Sequence, residues 1–313
     1  MSDELAIGVD LGATKIATAL VTRGGKVLAS LQTPTLASEG SAAVFDRIAA
    51  EIRSLLHSLP LPPGEGRGEG ERRTVLGIGI GSAGLIDNDS GTVVVATNLN
   101  WENVPLAREV SRRLNNIATF VENDANANVL GEGYYGSAVG CQHYVLITLG
   151  SGLGCGIVSH GRLITGASAL AGNLGHYSID PDNGIACVCG HRGCAEMIAS
   201  GPGLAALVGD GQTPDEILTA ARTGDALASS AVAKMAKVVG EVATVTAAVI
   251  DPQVLIIGGG LGVAAFDLIH EGIAREMSRR LPPPQKVPPL RAAALASPAV
   301  GAATLVWERR RRD

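Results

Sequence analysis

The sequence predicts an α/β fold of two domains, and three observations support this. The chain has 313 residues, enough for two domains that each bury a core of ordinary size. Hydrophobic residues make up 46% of the chain but aromatic residues only 3%, so the core must consist mainly of Ala, Val, Leu and Ile. The 41 glycines fall in short clusters between apolar runs, which indicates tight turns between strands and helices. Ligand-binding residues are expected at those turns.

Charge and hydrophobic pattern argue against two classes of partner. The net charge of -5 at pH 7 provides no basic face for nucleic acid, and we interpret the run from Arg309 to Arg312 as a solvated terminus. No stretch reaches about 18 uninterrupted apolar residues, and no signal-peptide pattern precedes the first predicted strand. We therefore expect a soluble, cytoplasmic protein that binds neither nucleic acid nor membranes.

The first part of the chain predicts three strands followed by a helix. Residues 5–10, 16–22 and 26–31 are apolar, β-branched runs separated by glycine turns, as in an antiparallel meander. Residues 42–59 carry apolar side chains at helical spacing. Residues 61–73 are rich in Gly, Pro, Glu and Arg, so we expect a flexible surface loop there.

The three-strand opening is predicted to recur in the second half. A strand at 144–148 leads through a glycine loop to a strand at 156–159, and a third is predicted at 176–179. Two such units would place two glycine turns face to face across a cleft, which suits a nucleotide bound between two domains. The other predicted elements are strands at 74–80, 118–121 and 254–257 and helices at 104–114 and 226–249.

Glycine-rich turns are the candidate phosphate-binding segments. AspLeuGlyAlaThrLys, residues 10–15, offers the hydroxyl and amide of Thr14 to a phosphate, and Asp10 is suited to orient hydrated Mg²⁺. A plain hairpin turn is the alternative, and the Walker spacing of a P-loop is absent. LeuGlySerGlyLeuGlyCysGly, residues 149–156, is the matching turn, with a hydroxyl at Ser151. GlyGlyGlyLeuGly, residues 258–262, joins a strand to a helix in another nucleotide-contact arrangement.

Asp124 is the candidate general base for a phosphoryl transfer. It follows a predicted strand, where a carboxylate can face a cleft, and the alternative is that residues 122–124 cap the next helix. Asn123 has an amide that both donates and accepts, which matches the hydroxyls of a sugar.

One cluster of soft ligands predicts a structural zinc site. His176, Cys187, Cys189 and Cys194 occur at tight spacing with glycines at the turns. Four protein ligands complete a tetrahedral site and leave no position for a reactive water. Glu196 follows the last ligand by two residues, so the same loop can hold its carboxylate against a sugar; a charge in the first turn of a helix is the alternative.

Together these motifs resemble the ROK family of sugar kinases, with agreeing spacing from about residue 5 to residue 305. The resemblance rests on AspLeuGlyAlaThrLys, IleGlyIleGlySerAlaGly at 78–84, GluAsnAspAlaAsnAla, LeuGlySerGlyLeuGly and CysXaaCysGlyXaaXaaGlyCysXaaGlu. It implies a two-domain actin-like ATPase fold of the ribonuclease H type, divided into residues 1–121 with about 301–313, and 122–300. It also implies ATP with Mg²⁺ as cofactors and phosphorylation of a hexose, usually at the 6-hydroxyl. Glucose is the hexose that we expect first.

The resemblance further implies roles for particular residues, with Asp124 as the base. The implied sugar-binding residues are Gly84, Asn98, Asn123, Asp124, Asn173, His176 and Glu196. The implied nucleotide-binding residues are Asp10, Gly12, Thr14, Lys15, Ser151, Gly152 and Gly259. We expect a homodimer or homotetramer, between which the sequence does not decide.

One departure from the family pattern affects substrate choice. The family usually has a glutamate that contacts sugar hydroxyls where this chain has Asn173, in AlaGlyAsnLeuGlyHis. The amide leaves several sugars open: N-acetylmannosamine, N-acetylglucosamine and fructose as well as glucose. It also leaves open a catalytically silent sugar-sensing or sugar-binding protein. A repressor of this family carries a helix-turn-helix ahead of the sugar domain, and only four residues precede the first predicted strand here.

Overall fold

The structure, a computed structural model, describes residues 4–57, 74–209 and 211–311. The chain forms two units, one of Met1–Gly136 with Leu295–Asp313 and one of Ser137–Ala294. This division differs from the sequence-based one, which placed residues 122–136 and 295–300 in the second domain. The reason is that the helix Asp124–Tyr135 packs against the C-terminal helix Pro298–Arg310 within the first unit.

The described strands and helices alternate along much of the chain. The strands are β1 (Leu5–Leu11), β2 (Lys15–Thr22), β3 (Val27–Pro34), β4 (Val75–Ser82), β5 (Leu85–Asp87), β6 (Thr92–Ala96), β7 (Trp101–Val104), β8 (Thr119–Asn123), β9 (Tyr144–Leu149), β10 (Leu153–Ser159), β11 (Arg162–Leu163), β12 (Val254–Gly258) and β13 (Leu290–Ala292). The α-helices are α1 (Ser41–His57), α2 (Leu106–Arg113), α3 (Asp124–Tyr135), α4 (Gly201–Val208), α5 (Pro214–Arg222), α6 (Ala226–Ile250), α7 (Gly259–Arg280) and α8 (Pro298–Arg310).

The first unit is built on a five-stranded sheet in the order β3-β2-β1-β4-β8. The predicted antiparallel meander of β1, β2 and β3 is confirmed, and β4 and β8 add to it in parallel. Helix α1 buries Val44, Ile48 and Ile52 at helical spacing, as its sequence predicts. The predicted loop at 61–73 lies outside the described residues, as does the end of the predicted helix at residue 59.

A small antiparallel sheet in the first unit was not predicted. It has the order β5-β6-β7, and its strands contain three to five residues. The β-branched run at Thr92–Ala96 is the signal in the sequence that indicates it. This sheet positions Gly84 immediately before β5 and Asn98 between β6 and β7.

The C-terminal helix α8 packs closely on the first sheet. A Cβ atom at Gly8 would lie 1.7 Å from the carbonyl oxygen of Ala299, and one at Gly79 would lie 1.9 Å from that of Ala302, so only glycine permits this approach. At the end of the helix Arg309 donates a hydrogen bond to the backbone carbonyl of Asn88. The interpretation of the arginine run as a solvated terminus is therefore wrong for Arg309, and Arg312 lies outside the described residues.

The second unit repeats the arrangement with a sheet in the order β11-β10-β9-β12-β13. The third strand of its meander is β11, which follows the turn at His160 and Gly161 and is only two residues long. The predicted third strand at 176–179 is wrong: residues 174–176 form a 3₁₀ turn, and Ser178 forms only an isolated bridge to Cys194.

Two long helices, α6 and α7, supply much of the apolar core of the second unit. Asp225 caps the start of α6, and the helix ends at Asp251, which adopts a left-handed conformation with φ of 49°. Among the described residues, no helix is both long and apolar enough to cross a membrane.

Candidate active site and metal cluster

Parallel strands in the first unit bring two predicted site residues to the same sheet edge. The register pairs Asp10 of β1 with Gly81 of β4, and Gly81 with Glu122 of β8, so the three lie side by side across the sheet. Asp124 begins helix α3 directly after β8. The carboxyl ends of such strands are where α/β folds bind ligands.

The environment of Asp10 raises its pKa from 3.8 to about 6. Burial of the carboxyl is the larger cause and the negative charge of Asp124 the second, while Lys15 opposes both. A partly buried carboxylate that faces a second carboxylate is suited to a divalent cation, because the cation offsets the repulsion between them.

Asn123 and Asp124 have different roles at the start of α3: Asn123 caps the helix, and Asp124 supplies a partly buried carboxyl group. The Asn123 side-chain oxygen caps the helix by accepting from the amides of Ala125 at 3.0 Å and Asn126 at 3.3 Å. Its amide nitrogen donates to the carbonyl of Gly84 at 3.2 Å. Burial raises the pKa of Asp124, a shift partly opposed by the amide of Ala125. A raised pKa is what general-base catalysis near neutral pH requires.

The turn between β1 and β2 is tight and partly exposed. The amide of Gly12 donates to the carbonyl of Lys15 at 3.0 Å, and the hydroxyl of Thr35 donates to the carbonyl of Gly12 at 2.7 Å. Thr14 and Lys15 are exposed, so their side chains are accessible to a phosphate.

We predict that Asp10→Asn stabilises the protein at pH 7 in the absence of a divalent cation. Because the folded pKa of Asp10 is raised above the unfolded value, its destabilising effect is absent below pH 3.8 and complete above about pH 6. Removing the charge should therefore raise stability at pH 7 by on the order of 3 kcal/mol. Thermal melts at pH 4 and pH 7 without Mg²⁺ measure this, with Asp89→Asn at an exposed position as the control. An equal gain at both pH values would contradict the prediction.

In the second unit two glycine-rich segments meet at one sheet edge. The turn after β9 contains Ser151 and Gly152, and it closes through the amide of Gly150, which donates to the carbonyl of Gly152 at 2.9 Å. Gly259, the first residue of α7, has φ of 74°, and a Cβ there would lie 2.2 Å from the carbonyl oxygen of Leu149. Only glycine fits, so the amino terminus of a 22-residue helix lies beside the β9 turn.

Glu196 contacts the same glycine turn. Its carboxylate accepts a hydrogen bond from the amide of Leu153 at 2.9 Å. Gly201, at the start of α4, donates its amide to the carbonyl of Gly150 at 2.7 Å. The segment after the cysteine cluster therefore contacts both ends of the glycine turn through two hydrogen bonds.

The four predicted metal ligands lie together. One ligand atom of each of His176, Cys187, Cys189 and Cys194 lies within 4.8 Å of those of the others. The Cys187 sulfur is 3.6 Å from Nδ1 of His176, and the Cys189 sulfur is 3.5 Å from that of Cys194. Three thiols and an imidazole at this separation fit a tetrahedral zinc ion. The amide of His191 lowers the pKa of the Cys189 thiol to about 6, which favours the thiolate that ligates metals.

The remaining predicted sugar contacts lie on separate loops of their own units. Gly84 has φ of 106° and precedes β5 in the first unit. Asn98 is exposed in the 3₁₀ turn Thr97–Leu99. Asn173 is exposed before the 3₁₀ turn that contains His176, in the second unit.

Three histidines outside the predicted site have partners that the sequence does not predict. His143 Nδ1 lies 3.0 Å from the hydroxyl of Ser159, and its ring packs edge-on against that of His160 at 4.4 Å. His191 Nδ1 lies 3.7 Å from the Cys189 sulfur, at the margin of the metal cluster. The sequence lacked a signal for these pairs, since two of them join residues 16 and 17 positions apart across the β9–β10 hairpin.

The fold, with a three-strand meander opening a five-stranded sheet in each unit, is that of the actin-like ATPases. The model of the ROK family matches residues 6–309, and the chain belongs to that family. Both of these predictions from the sequence are confirmed.

Glucokinases are similar to this chain over most of its length. It is 35% identical over 277 residues to a glucokinase of Thermotoga maritima, covering 82% of each chain. It is 31% identical over 287 residues to a glucokinase of Halalkalibacterium halodurans, covering 86% of this chain and 84% of that one. A crystal structure of a ROK family glucokinase from Streptomyces griseus, in complex with glucose and AMPPNP, has a TM-score of 0.80 and 32% identity, covering 97% of this chain and 99% of that one.

Proposed function

We propose that this protein transfers the γ-phosphoryl group of ATP to the 6-hydroxyl of a hexose, with glucose as the preferred acceptor. The observation that carries the proposal is the pair of carboxyls at the edge of the first sheet, Asp10 and Asp124, both with raised pKa. Phosphoryl transfer needs a base for the acceptor hydroxyl and a metal ion on the phosphates. This pair offers one carboxyl group as the base and one to hold the metal ion. Glucose is favoured by the glucokinases among its relatives.

Asp124 accepts the proton of the attacking hydroxyl, and Asp10 is the residue that would hold Mg²⁺. When bound, the cation would neutralise the charge that develops on the phosphates. In the first unit Gly12, Thr14 and Lys15 are assigned to the nucleotide, because their turn presents a hydroxyl, an amide and a cationic side chain. In the second unit the corresponding residues are Ser151, Gly152 and Gly259, supported by the amino terminus of α7.

The assigned sugar-binding residues in the second unit are tied to the metal cluster. Since Nδ1 of His176 faces the Cys187 sulfur, we assign Nδ1 to zinc and Nε2 to a sugar hydroxyl. Glu196 and Asn173 are assigned to sugar binding in this unit. In the first unit, Gly84, Asn98 and Asn123 are assigned to sugar binding. Zinc would then be structural, fixing the loop that bears two of these groups. We expect the protein to act as a homodimer or homotetramer.

The proposal is tested by ADP release from ATP and Mg²⁺ against glucose, N-acetylmannosamine, N-acetylglucosamine and fructose. The expected result is sugar-dependent release with glucose preferred. Preference for another sugar in the panel would replace glucose as the proposed acceptor and leave the proposed reaction unchanged. Binding of a sugar without ADP release would instead favour the sugar-sensing alternative.

We predict that Asn173→Glu increases affinity for the sugar. A carboxylate has two acceptor oxygens where the amide has one, and hydrogen bonds to charged groups contribute about 1.5 to 3 kcal/mol each. The KM for the preferred sugar should fall by about 5- to 100-fold, with the KM for ATP unchanged. Asn183→Glu, at an exposed position in the metal loop, is the control. An unchanged or higher sugar KM in Asn173→Glu would remove this residue from the sugar site.

A further inference from the structure

A buried carboxylate, Glu122, lies two residues before the assigned base in the sequence. Glu122 is only 6% exposed, and it is the second-last residue of β8, the strand that leads into α3. One carboxylate oxygen accepts from the amide of Asn123 at 2.8 Å and from Nδ2 of Asn126 at 3.1 Å. The other accepts from Nδ2 of Asn88. Three donors from three segments therefore converge on one side chain.

The side-chain oxygens of Asn88 and Asn126 are left without hydrogen-bond partners within the described part of the chain by this arrangement. Each asparagine turns its amide nitrogen toward Glu122. A buried carbonyl oxygen without a partner is unfavourable. The hydrogen bonds to the carboxylate of Glu122 must outweigh this cost, and they therefore determine the orientation of both amides.

The network connects the junction of β8 and α3 to the rest of the first unit. Asn88 lies in the turn after β5, and its backbone carbonyl accepts from Arg309 of α8. Glu122 also holds the backbone amide of the residue before Asp124 and a side chain in the first turn of the helix that carries Asp124. Because these hydrogen bonds run to the residue before Asp124 and to the first turn of α3, they act on the position of Asp124.

We propose that Glu122 is a positioning residue for phosphoryl transfer, holding Asp124 in register with the acceptor hydroxyl through Asn123 and Asn126. This inference rests on the proposed function. Glu122→Gln keeps the shape of the side chain but replaces one acceptor oxygen by an NH₂ group that faces donors, so the junction must shift. A displacement of about 1 Å in a catalytic group costs on the order of 100-fold in rate.

The test is a double-mutant cycle measured as kcat with the preferred sugar. Glu122→Gln should lower kcat by about 10- to 100-fold with the KM for ATP unchanged, but should change kcat by less than about 2-fold in the Asp124→Asn background. A merely structural residue would lower the rate by the same factor in both backgrounds. Glu132→Gln is the matched control, since Glu132 is also buried in α3 but accepts from Leu295 at the far end of the helix; it should leave kcat unchanged.

The result that overturns the inference is an equal loss in both backgrounds, or a wild-type kcat in folded Glu122→Gln. If Glu122→Gln does not fold, Asn88→Ala replaces it, because it removes one donor from the carboxylate without touching β8 or α3. It should show the same dependence on Asp124, with a smaller loss. A wild-type enzyme without turnover on any sugar would overturn the proposed function, and this inference with it.

Discussion

Asp124→Asn is expected to lower kcat by about 10² to 10⁴-fold while the protein stays folded. Asparagine cannot accept the proton of the sugar hydroxyl, but its side-chain oxygen can still accept from the amide of Ala125. Because burial raises the pKa of Asp124, removing its charge should not lower the melting temperature. Steady-state kinetics with saturating sugar and ATP, paired with a thermal melt, measure both effects.

The matched control is Asp215→Asn, an exposed carboxylate in the first turn of α5. Like Asp124, it lies in the first turn of a helix, but it belongs to the second unit, so it should leave kcat unchanged. Retention of activity within a few-fold in Asp124→Asn would transfer the role of base to another group. Loss of folding in that variant alone would show that its carboxylate is structural.

The second large effect is expected from loss of the metal cluster. Cys187→Ser removes a buried thiol whose sulfur faces His176, so the protein should bind less than one zinc ion per chain. Turnover should fall by at least about 10-fold, because the loop that ends at Glu196 supports the glycine turn through Leu153. Metal analysis of the purified protein and kinetics with added zinc measure these changes.

Cys141→Ser provides the comparison, since Cys141 lies outside the cluster and should alter neither zinc content nor rate. Hydrogen exchange of residues 174–196 adds a local readout: protection should be lost there and kept in α6. Full activity in zinc-free protein would mean that the cluster does not support the site.

Much of the fold could be predicted because local pattern determines it. The meander of β1, β2 and β3 has short turns and apolar runs of seven or eight residues, and α6 has long helical periodicity with a capping Asp225. Strands β5 to β7 were missed because three to five residues hold too little periodicity. The same applies to β11, which has two.

Which residues lie together could be predicted where a motif is contiguous, and not where a cluster is assembled from distant segments. The four candidate metal ligands fall within a 19-residue stretch, and the structure groups them as their spacing predicts. The partners of Glu122 include Asn88, and through it Arg309, which is 221 positions from Asn88. Their contacts depend on how α8 packs on the first sheet, which the sequence pattern does not encode.

The proposed phosphoryl transfer is tested by following the γ-phosphoryl group with ³¹P NMR in a reaction with ATP, Mg²⁺ and glucose. We expect glucose 6-phosphate and ADP in equal amounts, with no inorganic phosphate. ADP with inorganic phosphate would show a sugar-independent ATPase, and unchanged ATP in the presence of every sugar of the panel would show that this member of the ROK family is not a kinase.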